Sequence, residues 1–243
     1  MFPKLSQLRE LEFDTLKRVC QIAEFSRLSD LRTAACRAFS QINPHRGPVN
    51  VYLDFQLEVR MRARNKRSEF RRRVGVGAVV QPGNGKDSIR NASYSLIICR
   101  NERASDSPIL RKFHIDYEPI AFRNPNEPKP SVHMQWCGTL SAQQLSEGYS
   151  ETRLQALYPD FEKPRLPAAP TSIALMLNWL LLEFQYDPAA QPVLRNSQWR
   201  ALVATAERTV LVPYYRDSAQ FLSARANDGK RFLQNYQYEM ICD

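Results

Sequence analysis

Residues 49–64, "VNVYLDFQLEVRMRAR", carry an apolar side chain at every second position. Val49, Val51, Leu53, Phe55, Leu57, Val59, Met61 and Ala63 alternate with Tyr52, Asp54, Gln56, Glu58, Arg60, Arg62 and Arg64. Successive side chains of an extended strand leave opposite faces, so a period of two makes one long strand with a buried face and a polar face. A helix would scatter the same apolar residues around its whole circumference. Whatever the chain folds into must therefore build a sheet around this stretch.

Four further strands are predicted after it. They cover about 70–81, with Val74, Val76, Ala78 and Val80 facing the core, then 92–100, 109–118 and 131–137. Asn84-Gly85 in "PGNGKD" supplies a turn between the second and third. The connections are short, which favours an antiparallel meander.

Helical spacing brackets this sheet. Leu5, Leu8, Leu16, Val19, Cys20, Ile22 and Ala23 form one apolar stripe. A second helix follows a break near "FSRLSD", with Ser29 as its cap and Leu31, Ala35, Ala38, Phe39 and Ile42 facing inward. Pro44 and Pro48 stop it. Helix is expected again from "LSAQQLSEGYSETRLQALYPDF" (140–161), before a stiff linker or helix preamble, "KPRLPAAP" (163–170). A core helix then spans 171–184, and another is capped by Asn196 or Ser197 and ended by Pro213. Phe232, Tyr236, Tyr238 and Met240 suggest a final strand or an aromatic docking tail. The expectation is a single α+β domain over 1–243. N-terminal helices (1–45) and C-terminal helices and tail (140–243) pack on one face of an antiparallel sheet of about five strands (about 49–137).

Several classes are excluded or unsupported. The longest apolar run, 173–184, is too short to span a bilayer. The opening "MFPKLSQLRELEF" has no apolar core for a signal peptide. Cys20, Cys36, Cys99, Cys137 and Cys242 are odd in number and widely scattered, which suggests neither a disulfide framework nor a zinc ribbon. The expectation is a cytoplasmic protein with no membrane contact, metal or cofactor. "GVGAVV" lacks the third glycine of a dinucleotide loop, and "GNGKDS" has Asp87 where a phosphate loop needs Ser or Thr. No nucleophile motif is present.

Charge is more informative. Residues 60–73 hold eight basic groups against one acid, Glu69, a balance of +7 out of a formal +9 for the whole chain. Such a focus attracts a phosphate backbone or an acidic protein surface. Arg60, Arg62, Arg64, Lys66, Arg67, Arg71, Arg72 and Arg73, with Lys112, are the candidate nucleic-acid contacts.

Two of the three histidines lie on the fourth and fifth strands. If Glu118 pairs with Ser131, His114 faces Gln135 and Asp116 faces His133, all on the polar face. Three readings stay open for this set. It can be a hydrogen-bond network fixing the sheet. It can be an acid–base pair for metal-independent cleavage of RNA or another phosphodiester. Or it can be a two-histidine, one-carboxylate metal site, for which five strands are too few. Asp54 and Glu58 read as cross-strand partners for arginines, since the nuclease pattern they approach needs lysine at Arg60.

The leading expectation is a nucleic-acid-binding accessory subunit of a larger complex that uses the arginine-rich hairpin. A ribonuclease acting through His114, Asp116, His133 and Gln135 is the alternative. A protein-interaction subunit docking an acidic partner is the third.

Overall fold

A computed structural model of the chain describes residues 3–63, 66–85, 87–99, 109–118, 132–136, 165–185 and 187–226. For 58–63, 66–71, 99, 109–112, 136, 165–167, 221–222 and 224–226 it describes the backbone alone. The expected helix over 140–161, the loop 119–130 and the tail residues Phe232 to Met240 lie outside these.

The alternating segment forms β1 (Val49–Ala63), the first strand of an antiparallel meander. Then come β2 (Lys66–Pro82), β3 (Ile89–Cys99), β4 (Ile109–Tyr117), β5 (Val132–Trp136) and a short β6 (Arg165–Pro167), hydrogen-bonded in sequence order. Two boundaries differ from expectation. The second strand starts at Lys66 rather than near 70, because the β1–β2 ladder runs unbroken to Ala63↔Lys66. The segment expected as a linker supplies β6, pairing Met134 with Leu166, since prolines are tolerated on an edge strand.

The apolar face carries Val49, Val51, Leu53 and Phe55 of β1, Val74, Val76, Ala78 and Val80 of β2, and Tyr94 and Leu96 of β3, all buried. Helices from both ends of the chain close over it. α1 (Leu5–Gln21) buries Leu5, Leu8, Leu16 and Val19 as its spacing predicts, and Leu11 as well. A 3₁₀ turn, Ala23–Arg27, leads into α2 (Ser29–Gln41). Ser29 is not the cap: Leu28 holds that position, with no side-chain hydrogen bond.

From the C-terminal half come α3 (Ile173–Glu183), α4 (Ala190–Arg195) and α5 (Ser197–Ala206). Ser172 caps α3, accepting from the Leu175 amide, and Asn196 caps α5, accepting from Gln198 and Trp199. Pro213 does not end the last helix. A π-helical segment, Glu207–Leu211, with the Val212 amide donating to the Glu207 carbonyl, passes without a break into α6 (Val212–Ala226). Pro213 therefore lies inside a continuous helix, just after the locally widened turn that accommodates its ring and missing N–H. Trp199 is fully buried, set edge-on to Phe25 at 5.2 Å and donating its indole N–H to Asn178. Among the described residues, no helix is long and apolar enough to cross a membrane.

The β2–β3 connection turns through Asn84-Gly85 as expected, closed by the Gly83 amide donating to the Ser88 carbonyl and the Ser88 amide donating to the Gly85 carbonyl. Among its described residues Asp87 is left-handed, at φ 61°. Asp87 receives hydrogen bonds from the Ser6 amide and hydroxyl, both at 2.6 Å, which hold its carboxyl below the usual range and fasten the loop to α1. Asp tolerates this backbone region better than most side chains, and those bonds hold it there.

Candidate nucleic-acid interface and polar sheet face

The β1–β2 ladder outruns the rest of the sheet. The last β2–β3 partners at this end are Val74↔Ile98, yet β1 and β2 stay paired for eight more positions, from Gln56↔Arg73 to Ala63↔Lys66. At about 3.3 Å per residue, the two-stranded arm is roughly 25 Å long. It carries seven of the eight basic candidates; Arg64 lies outside the described residues.

Register sorts these residues. Arg60, Arg62, Arg67, Arg71 and Arg73 occupy positions of the Asp54 parity, whereas Lys66 and Arg72 share the parity of Val74. Charge compensation also changes along the arm. At its base Arg73 makes a two-pronged ion pair with Asp54, its Nε donating at 2.6 Å and its Nη2 to the other carboxylate oxygen. Further out, Glu58 stands opposite Arg71 and Glu69 opposite Arg60. Near the tip Arg62 stands opposite Arg67, and residues 61–68 contain no acid at all. Like charges directly opposed across a ladder are unfavourable.

Beside the base of the arm, α2 and β1 border a groove of about 620 Å³, lined by Asp30, Arg37, Tyr52, Asp54, Gln56 and Arg73 among others. Tyr52 is 55% exposed. Its ring lies over Gly75, where an added Cβ would sit 2.5 Å from the phenol oxygen. At Gly77 a Cβ would meet the Ser95 hydroxyl at 2.6 Å. The two glycines of "GVGAVV" therefore make room for Tyr52 and Ser95 on the polar face. The sequence drew attention to neither the groove nor Tyr52, because its α2 wall and its β1 floor come from segments with unrelated patterns.

The histidine set is brought together in the expected register, with His114↔Gln135 and Asp116↔His133. His114 Nε2 lies 3.1 Å from Asp116 Oδ2 and 3.1 Å from Gln135 Oε1. Both are acceptors, so Nε2 carries the proton and is shared between them. His133 Nε2 is 3.7 Å from the same carboxylate oxygen, an electrostatic approach rather than a hydrogen bond. Burial alone would raise the Asp116 carboxyl. Hydrogen bonds from His114 and Ser93 and the two nearby imidazoles outweigh it and hold the carboxyl below its usual value. Asp116 Oδ1 is buried without a hydrogen-bond partner among the described residues. His114 and Asp116 are about one-fifth exposed, but His133 is 1% exposed and Gln135 is buried. A proton-transfer partner must be reached by substrate, and His133 is enclosed. Lys112 follows on β4 at a backbone position opposite Ile97. Among the described residues no cluster of His, Cys, Asp and Glu suits a metal ion.

A buried acid that sequence reasoning missed lies on the other side of the sheet. Glu12 of α1 is fully buried, accepts from the Tyr94 hydroxyl at 2.8 Å and receives the Ile173 amide at the start of α3. Burial pushes its carboxyl up to about 8, against the opposing pull of those two hydrogen bonds. A lone Glu in an amphipathic helix ordinarily reads as solvated. Its partners come from positions 82 and 161 residues away, so no local signal marks it.

Comparison of the chain with protein-family models, with curated proteins and with solved structures finds no match.

Proposed function

We propose that this chain is a nucleic-acid-binding subunit of a larger complex and that the β1–β2 arm is its contact. The observation that carries this reading is the acid-free tip of a long two-stranded arm, with Arg62 opposed to Arg67 and Arg64 and Lys66 between them. A folded arm that concentrates like charge costs free energy in isolation, and a polyanion laid against it removes that cost. A two-stranded ribbon also has the cross-section that the major groove of duplex DNA admits. Asp54 pairs with Arg73, and Glu58 and Glu69 stand opposite Arg71 and Arg60 in the register, which supports a contact at the acid-free tip. The enclosed His133 favours the network reading of the histidine set, with His114, Asp116, His133 and Gln135 holding β4 against β5.

The test is binding of labelled duplex DNA, single-stranded DNA and RNA over a range of salt. The variant Arg62→Glu, Arg64→Glu, Arg67→Glu is expected to lose nearly all affinity. The wild-type slope of log K against log salt should exceed the variant's by about 2–3, since each phosphate contact contributes roughly 0.9. Equal affinity and equal slope would refute the proposal. Binding to acidic proteins alone would reassign the arm to a protein partner. Cleavage that survives a chelator and disappears in His133→Ala would make the chain an enzyme.

A further inference from the structure

The five cysteines are scattered in sequence, but the fold brings two of them together. Cys20, near the end of α1, and Cys36, in the middle of α2, are 16 positions apart, and their sulfurs lie 2.7 Å from each other. Even carbon atoms in contact keep about 3.5–4.0 Å between them, and a disulfide bond is about 2.05 Å long. Bond formation therefore requires a closing movement of well under an ångström. Cys36 is exposed and Cys20 is partly buried behind it. The Arg32 guanidinium donates to the Cys20 carbonyl at 3.0 Å, fixing the end of α1 against α2.

From this geometry we infer that Cys20 and Cys36 are a redox-active pair, oxidised to an intramolecular disulfide by a small-molecule disulfide such as glutathione disulfide. The exposed Cys36, as its thiolate, attacks one sulfur of the oxidant, forming a mixed disulfide and expelling one thiolate. Cys20 then attacks the Cys36 sulfur, its proton passing to the second departing thiolate. The sum is two protein thiols and one small disulfide giving one protein disulfide and two small thiols, a two-electron exchange. Cys20 is suited to the second step rather than the first. Burial and the neighbouring Cys36 push its thiol up to about 12, so it is protonated until the adjacent sulfur becomes electrophilic. The new bond ties α1 to α2, the helix that walls the groove beside β1.

The experiment is to reduce the full chain, remove the reductant and add excess glutathione disulfide at neutral pH, then alkylate and digest with trypsin. The expected product is a disulfide joining the peptides 19–27 and 33–37, with two fewer alkylatable thiols. Closing a loop of this size should raise Tm by roughly 5–10 °C. Cys36→Ser, a change at an exposed site, should abolish both the linked peptide and the Tm gain. In Cys20→Ser the reaction should stop at a lasting glutathione adduct on Cys36. Wild-type protein that keeps such an adduct with Cys20 still alkylatable, or links Cys99, Cys137 or Cys242 instead, or does not react, would overturn the inference.

Discussion

Two buried or half-buried carboxyls set opposite pH dependences on the same molecule. Glu12 binds its proton more tightly folded, near pH 8, than unfolded, where the ordinary value is 4.5. Its contribution to stability is therefore complete below about pH 4.5 and is lost as pH rises through about 8. Asp116 is held below its ordinary 3.8, so its contribution is present above that value and lost as pH falls through the folded-state value. Tm followed against pH should decline from about pH 5 to 8, and Glu12→Gln should flatten that decline; an unchanged slope would clear Glu12 of the effect. Glu12→Ala, which strands the Tyr94 hydroxyl and the Ile173 amide, should cost about 2–5 kcal/mol at neutral pH by chemical denaturation. Asp116→Ala removes the acceptor shared by His114 and approached by His133, and should cost about 1–3 kcal/mol. That loss should shrink as pH falls from the ordinary 3.8 through the lower folded-state value. Of these residues only the His114, Asp116, His133 and Gln135 set was legible in the sequence, because adjacent antiparallel strands make register a local quantity. Glu12 was not, because its environment is assembled from three distant segments.

The elements differ in what each leaves to the sequence. Strict alternation made β1 unmistakable, and its partner was found through Val74, Val76, Ala78 and Val80. The distal half of β2 reads "KRSEFRRR", where only Phe70 marks an apolar face. Its strand structure follows from pairing with β1 and not from its own pattern. Pro213 misled for the opposite reason, since it does lie in a helix interior, but the π-helical segment just before it widens the turn and lets the helix continue past it. The arm's pairing with itself yields a test that separates binding from folding. Replacing residues 60–69 by Asn-Gly joins the Val59↔Phe70 pair through a two-residue turn suited to a hairpin. The shortened chain should keep Tm within a few degrees of wild type, because the removed pairs lie beyond Val74↔Ile98. It should at the same time lose salt-dependent nucleic-acid binding. A large fall in Tm would mean that the arm is a structural part of the core.

At the scale of the whole molecule, the apolar face of the sheet is covered by helices that lie before and after it in the chain. Leu8 and Leu16 of α1, Leu53 and Val76 of the sheet, and Leu177 and Trp199 of the C-terminal helices belong to one buried cluster. Glu12 ties all three parts together, touching Tyr94 of β3 and Ile173 of α3. Trp199 does the same among the helices, through Phe25 and Asn178. A core shared in this way cannot release one end of the chain without exposing the other, so unfolding should be a single transition. Trp199 can report it once Trp136→Phe and Trp179→Phe have removed the other two indoles. Its fluorescence and the far-ultraviolet circular dichroism should give the same urea midpoint and the same slope. Trp199→Ala should lower stability by about 3–5 kcal/mol without splitting the transition. A fluorescence midpoint well below that of the dichroism would instead mean that the C-terminal helices leave first. The sheet and N-terminal helices would then stand as a separate folding unit, and Glu12 would be a latch between two units rather than a pin within one.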